Sequence, residues 1–145
     1  MDIIDNLKKD GMLLKKVPKK EQTVEYCKLA IKQNPLALRY ASIRCINSKI
    51  CFSAVKKDVR AFKFVPEKYV TRAMCRVVVE TSPKLLSIVP DSFKSKNICL
   101  SALKKDVSVT DYIPEDKRYE MFDNNIEIDL IKKVINYNPK WLMYT

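Results

Sequence analysis

The 145-residue chain contains no histidine and a single glycine, Gly11. Each absence removes a class of function. Without histidine the usual general base near neutral pH is missing, as is the usual partner of a nucleophilic Ser or Cys. With one glycine, glycine-dependent hairpins, phosphate-cradling loops and flexible linkers are excluded, and turns must be built from Pro, Asn, Asp and Ser. No apolar run approaches the roughly 18 residues that cross a bilayer, and the opening MDIIDNLKKDG carries acids and no long apolar core, so neither a membrane span nor a signal peptide is expected. Paired carboxylates in an apolar setting are also lacking. These absences predict a protein with no catalytic residues, no bound metal and no cofactor.

What is present is a period. Cys27, Cys51, Cys75 and Cys99 each stand 24 residues after the last. Three residues beyond them come Ala30, Ala54, Val78 and Ala102, each followed by Ile31, Val55, Val79 or Leu103. Small polar residues follow at Asn34, Asp58, Ser82 and Asp106, with Pro35, Val59, Pro83 and Val107 next to them. That pair reads as a helix start: the side-chain oxygen accepts an orphan N–H of the first turn, and proline at the first position gives up a donor that had no partner. Further apolar groups follow at Ala37, Leu38 and Tyr40; Ala61, Phe62 and Phe64; Leu85, Leu86 and Ile88; Val109 and Tyr112. Pro66, Pro90 and Pro114 then share a column, with Ser42 in place of the first, and end the second helix. Thr23, Asn47, Thr71 and Ser95 form a second capping column ahead of the first helix.

Each unit therefore reads as a helix of roughly ten residues, a break, a helix of roughly seven and a turn, pieces too short to stand alone. The sequence predicts an all-α fold: a short solenoid of stacked 24-residue helix-turn-helix repeats with atypical capping ends, forming a single domain over 1–145. Residues 1–22 read as an N-terminal half repeat, 23–118 as four repeats and 119–145 as a C-terminal cap repeat. Pro66-Glu67-Lys68-Tyr69 and Pro90-Asp91-Ser92-Phe93 predict an additional single turn, with proline at its first position and Tyr69 or Phe93 folded onto the core. After Arg118 the period slips by eight residues, since Asn138 lies 32 beyond Asp106. We assign the insertion to the connection and to an extended helix of roughly Asp123 to Asn136, capped by Asp123 or Asn125. Trp141, Leu142 and Tyr144 then take second-helix core positions. Trp141 is read as part of a closing cap, with an aromatic anchor for a partner as its functional alternative.

The cysteines argue against disulfides and zinc. Residues one repeat apart lie roughly 9–10 Å apart, whereas a disulfide needs Cα atoms within about 7 Å, and no pair has zinc-ligand spacing. They read as small buried apolar residues. Reduced thiols point to the cytoplasm or another reducing compartment.

AIKQNPLALRYAS (30–42) and VKKDVRAFKFVPEKY (55–69) resemble the tandem helical repeats of the domain-of-unknown-function family four-one-one-six. The resemblance covers about 23–118, with a weaker match at 131–145. The chain departs from the family in having Pro35, Val59, Pro83 and Val107 where glycine is frequent, and in lacking Glu-Glu-Leu after Ser42. The resemblance implies an occurrence in large DNA viruses, protists or host-associated bacteria, and brings no catalytic residues with it.

Charge is the remaining functional signal. The net charge of +11 arises from +12 over residues 1–96 and −1 over 97–145. Lys8-Lys9, Lys32, Lys56-Lys57 and Lys104-Lys105 share columns at the end of the first helix, interrupted by Glu80-Thr81. Cations there favour the negative end of a helix dipole and serve solubility. They also allow a basic ridge that meets a partner, for which Lys32, Arg39, Lys56, Lys57, Arg60, Lys63, Lys68 and Arg72 are the candidates. An acidic protein surface is the expected partner, because most aromatics fall in expected core columns instead of interleaving with the charges as a nucleic-acid stacking platform requires. Sequence-independent nucleic-acid binding through phosphates is the alternative.

Overall fold

The computed structural model describes residues 2–122 and 125–145, and among these every regular element is helical. The α-helices are α1 (Ile3–Lys9), α2 (Val24–Gln33), α3 (Ser48–Lys57), α4 (Arg72–Thr81), α5 (Lys96–Lys105), α6 (Glu115–Met121) and α7 (Ile128–Tyr137). The chain divides into two compact units, Met1–Met74 and Cys75–Thr145.

The first-helix column is built as its caps dictate. Thr23 Oγ1 accepts from Tyr26 N at 3.2 Å, Asn47 Oδ1 from Ile50 N at 2.9 Å, Thr71 Oγ1 from Met74 N at 3.3 Å and Ser95 Oγ from Ile98 N at 3.4 Å. Each such cap contributes about 1 kcal/mol. α2, α3, α4, α5 and α7 are each ten residues long.

The second helix differs from expectation. It is a six-residue 3₁₀-helix in every repeat: Gly11–Lys16, Pro35–Tyr40, Val59–Phe64, Pro83–Ile88, Val107–Tyr112 and Pro139–Tyr144. In four of the six the capping residue has a short reach. Asp10, Asn34, Asp58 and Asp106 accept from the N–H two residues on, at 2.9–3.0 Å, where the α-helix caps accept from the third. The backbone tightens in step, as Ala37 N donates to Asn34 O and Ala61 N to Asp58 O across three residues, while Cys27 N and Cys51 N reach back four. Burial then follows a period of three: Gly11, Leu14 and Val17 are buried, as are Pro35, Leu38 and Ala41. Ser82 and Asn138 do not act as side-chain caps, contrary to the column reading.

The expected core is buried in part. Ala37, Leu38, Ala61, Phe62, Leu86 and Val109 are buried. Tyr40, Phe64 and Leu85 are only half-buried, while Ile88 and Tyr112 are 42% and 39% exposed. The extra turns are present as Glu67–Tyr69 and Asp91–Phe93, with Pro66 and Pro90 at the cap position instead of the first helical one. Tyr69 and Phe93 are half-buried.

In the first unit α1 packs on α2, α2 on α3, and the 3₁₀-helices 11–16, 35–40 and 59–64 pack in the same order. Gly11 is needed for space: a Cβ there would lie 2.1 Å from Ala30 O. Its N–H donates to Gln33 Oε1 at 2.7 Å, while Gln33 Nε2 donates to Lys9 O at 3.1 Å. Gln22, 2% exposed, ties the unit together. Its Nε2 donates to Val17 O at 3.1 Å and to Tyr40 O at 2.9 Å, and its Oε1 accepts from Ser42 N at 2.6 Å. An unpaired buried carbonyl or N–H costs about 1–3 kcal/mol, and one amide here serves three.

In the second unit the corresponding positions are Lys94 and Arg118, 72 and 96 residues after Gln22. Lys94, 7% exposed, donates to Tyr112 O at 2.8 Å and pairs with Asp91 at 3.0 Å. Arg118 Nε donates to Ile113 O at 2.9 Å. The eight-residue slip is taken up by α6, which begins after Pro114 where the earlier repeats make a single turn, and α7 is not extended. The expected start at Asp123 lies outside the described residues; Glu127, not Asn125, occupies the cap position of α7. Trp141 is 1% exposed and lies edge-on to Phe122 and Tyr144 with ring centroids 5.6 and 5.8 Å away. It is a core residue, which removes its reading as an exposed anchor. Leu142 is 63% exposed, against the core position expected for it and unlike the buried Leu38 and Leu86 at the same place in earlier repeats.

Candidate interaction surface

The eight cations singled out in the sequence all lie in the first unit. Lys32 ends α2 and Lys56-Lys57 end α3, where positive charge meets the negative end of each helix. Lys57 Nζ donates to Lys32 O, so one repeat's lysine caps the helix of the repeat before it. Lys105 does the same to Glu80 O in the second unit, and Gln33 does it to Lys9 O in the first. Part of the lysine ladder is therefore helix-capping architecture.

Arg60 is neutralised locally. Its guanidinium forms a 2.7 Å pair with Asp58, and that hydrogen bond holds the Asp58 carboxyl below the usual range while raising Arg60. The other seven form no ion pair among the described residues. Several stand over aromatic rings. Arg39 and Lys63 share Phe64, at 5.7 and 5.0 Å from its centroid, and Arg39 is also 5.7 Å from the Tyr40 ring. Lys56 lies over Phe52 at 5.5 Å and Lys68 over Tyr69 at 4.8 Å. Such contacts are worth about 0.5–1 kcal/mol when exposed. Tyr40, Phe52, Phe64 and Tyr69 are half-buried. The expectation that aromatics stay in the core, apart from the charges, does not hold for them. Arg72 opens α4 and is exposed.

Sequence reasoning missed one grouping. An open groove of about 420 Å³ between α2 and α3 brings Lys28 and Lys49 beside Lys32 and Lys57, over the buried Ile31 and Ile50. The signal was available: Lys28 and Lys32 are four apart on α2, and Lys49, Ser53 and Lys57 are spaced by four on α3, which places each set on one helix face.

The thiols carry no sign of nucleophilic use. Burial pushes Cys27, Cys51, Cys75 and Cys99 up to about 11, and all five cysteines are free and buried. Among the described residues no three His, Cys, Asp or Glu side chains gather so as to hold a metal ion, and no helix is long and apolar enough to cross a membrane.

The segment that builds the groove, together with the 3₁₀-helix and turn that follow, is also the segment that matches a family model. Residues 23–69 match the family model described as a domain of unknown function, DUF4116. The resemblance seen in the sequence thus holds for this stretch, and the matched segment contains seven of the eight candidate cations, with Arg72 just outside. No curated protein and no solved structure matches the chain.

Proposed function

We propose that the protein is a non-catalytic interaction module whose first unit docks an acidic protein surface. The observation that carries this reading is the set of exposed cations Lys32, Arg39, Lys56, Lys57, Lys63, Lys68 and Arg72 on one 74-residue unit, none of which forms an ion pair among the described residues. A charge field of one sign raises the local concentration and association rate of an oppositely charged partner. Support for the absence of chemistry comes from the missing histidine and from thiols held protonated by burial. Free thiols favour a reducing compartment, the cytoplasm being the simplest.

A second reading, sequence-independent nucleic-acid binding, draws support from the half-buried rings of Tyr40, Phe52, Phe64 and Tyr69 lying among those cations. Base stacking on such rings contributes about 1–3 kcal/mol per base. One titration separates the two. A glutamate-rich polypeptide and a single-stranded oligonucleotide of equal charge are compared over a range of salt, with Lys56→Glu, Lys63→Glu and Lys68→Glu as variants. Tighter binding of the polypeptide, lost in the variants, supports the first reading. Tighter binding of the oligonucleotide, with a steep log-linear salt response, supports the second.

A further inference from the structure

The lysine-lined groove between α2 and α3 differs from the rest of the basic surface. Its lining comprises four ammonium groups, from Lys28, Lys32, Lys49 and Lys57, and no carboxylate. Its floor is aliphatic, made of Ile31 and Ile50, and no aromatic ring lines it. The remaining lining residues, Asn47 and Ser53, are small and polar. Asn47 Oδ1 is engaged by Ile50 N at 2.9 Å, which leaves its Nδ2 to donate. Of the four lysines, Lys57 is committed to the carbonyl of Lys32; Lys28, Lys32 and Lys49 are exposed and make no ion pair among the described residues.

We propose that this groove is the docking cleft for an acidic peptide segment that carries an apolar anchor residue. The inference rests on the interaction-module reading and names the partner's chemistry. Three features select such a peptide over a phosphate backbone. The apolar floor rewards a buried side chain, which phosphodiesters do not offer. The absence of a ring removes the stacking that single-stranded nucleic acid uses. The cations are lysines, point charges suited to flexible carboxylates, and not the arginine forks that grip phosphate bidentately. Amide and hydroxyl groups at Asn47 and Ser53 are placed to pair with peptide backbone.

The test uses the full-length protein and a fluorescein-labelled peptide of aspartates and glutamates flanking a Leu-Phe pair, with a second peptide in which that pair is Ser-Ser. Lys28→Glu and Lys49→Glu, which touch no structural hydrogen bond, are each expected to weaken binding by about tenfold, equivalent to 1.4 kcal/mol. Ser53→Tyr, which fills the groove without changing charge, is expected to weaken it comparably, and the Ser-Ser peptide to bind about tenfold less tightly than Leu-Phe. Lys140→Glu in the second unit is expected to leave affinity unchanged, and circular dichroism of each variant checks its folding. If Ser53→Tyr and the Ser-Ser peptide bind as well as the originals while charge reversals act alike wherever placed, attraction is diffuse; the cleft is then wrong and the acidic-partner reading survives. If an oligonucleotide of equal charge outcompetes the peptide, both fall.

Discussion

In the first unit the column that joins successive repeats holds the buried neutral amide of Gln22 and then the apolar Ile46 and Val70; in the second it holds buried Lys94 and half-buried Arg118, two cations that donate to the same class of carbonyl as Gln22. The exteriors differ in the opposite sense. Residues 1–74 carry 17 Lys and Arg against seven Asp and Glu, whereas residues 75–145 carry 11 against ten. The scaffold can therefore be completed with an amide or a cation inside, and it tolerates a near-neutral surface outside. The basic exterior of the first unit is not a requirement of the repeat, except where a lysine such as Lys57 caps a neighbouring helix. That contrast is what makes the remaining exposed cations candidates for binding. The second unit's distinguishing feature is instead aromatic: Phe122, Trp141, Tyr144 and Tyr119 meet edge-on around Arg118, which lies 5.5 Å from the Trp141 ring.

The largest expected effect tests that aromatic core. Trp141→Ala should cost about 3–5 kcal/mol in urea denaturation followed by circular dichroism; a loss below about 1 kcal/mol would show that the cluster is not what holds the second unit. Gly11→Ala should destabilise the first unit by about 2–3 kcal/mol, since its methyl has to displace Ala30 O. A variant as stable as the parent would mean that this close approach is absent. Next comes the joining column itself. Gln22→Met and Lys94→Met should each cost about 1–3 kcal/mol by stranding carbonyls, while Lys94→Gln should cost less than half of the Met change. Equal costs at Lys94 would break the equivalence drawn between the units.

A subtler contrast concerns pH. Each in-phase thiol is raised from 9.0 to about 11 by burial, so the folded state holds a proton that the unfolded chain releases first. Stability from this source is complete below about pH 9 and falls as pH rises from 9 to about 11. Cys51→Ala in the first unit and Cys99→Ala in the second should flatten the alkaline decline of the urea midpoint equally, because the same column is buried in both. A slope that neither change alters would refute the assignment. Smallest of all, Lys63→Ala and Lys68→Ala should move stability by no more than about 0.5 kcal/mol; greater losses would make these cations structural.

The helices α2 to α5, their caps and the buried in-phase cysteines were legible because a cap and an apolar face are local signals, whereas the start and cap of α7 were not. The replacement of the second α-helix by a 3₁₀-helix was not read: Asn and Asp at four of its starts reach the second N–H, but Pro83–Ile88 and Pro139–Tyr144 take the same form without that contact. The eight-residue slip was located, but α6 was not recognised as the lengthened form of the turn after Pro66 and Pro90. For the candidate site, the lysine columns were visible, while the groove was not, since Lys28 and Lys49 meet only when α2 lies on α3.

By itself the sequence determined the all-α class, the 24-residue phase, where α2 to α5 start and stop, and the excess of positive charge over residues 1–96, all of them consequences of residue type and spacing along the chain. Only the tertiary structure decided which cations are occupied and which are open. Whether Lys57 caps a helix, Arg60 folds onto Asp58, or Lys28 and Lys49 face a common groove depends on distances between segments that the linear order leaves free.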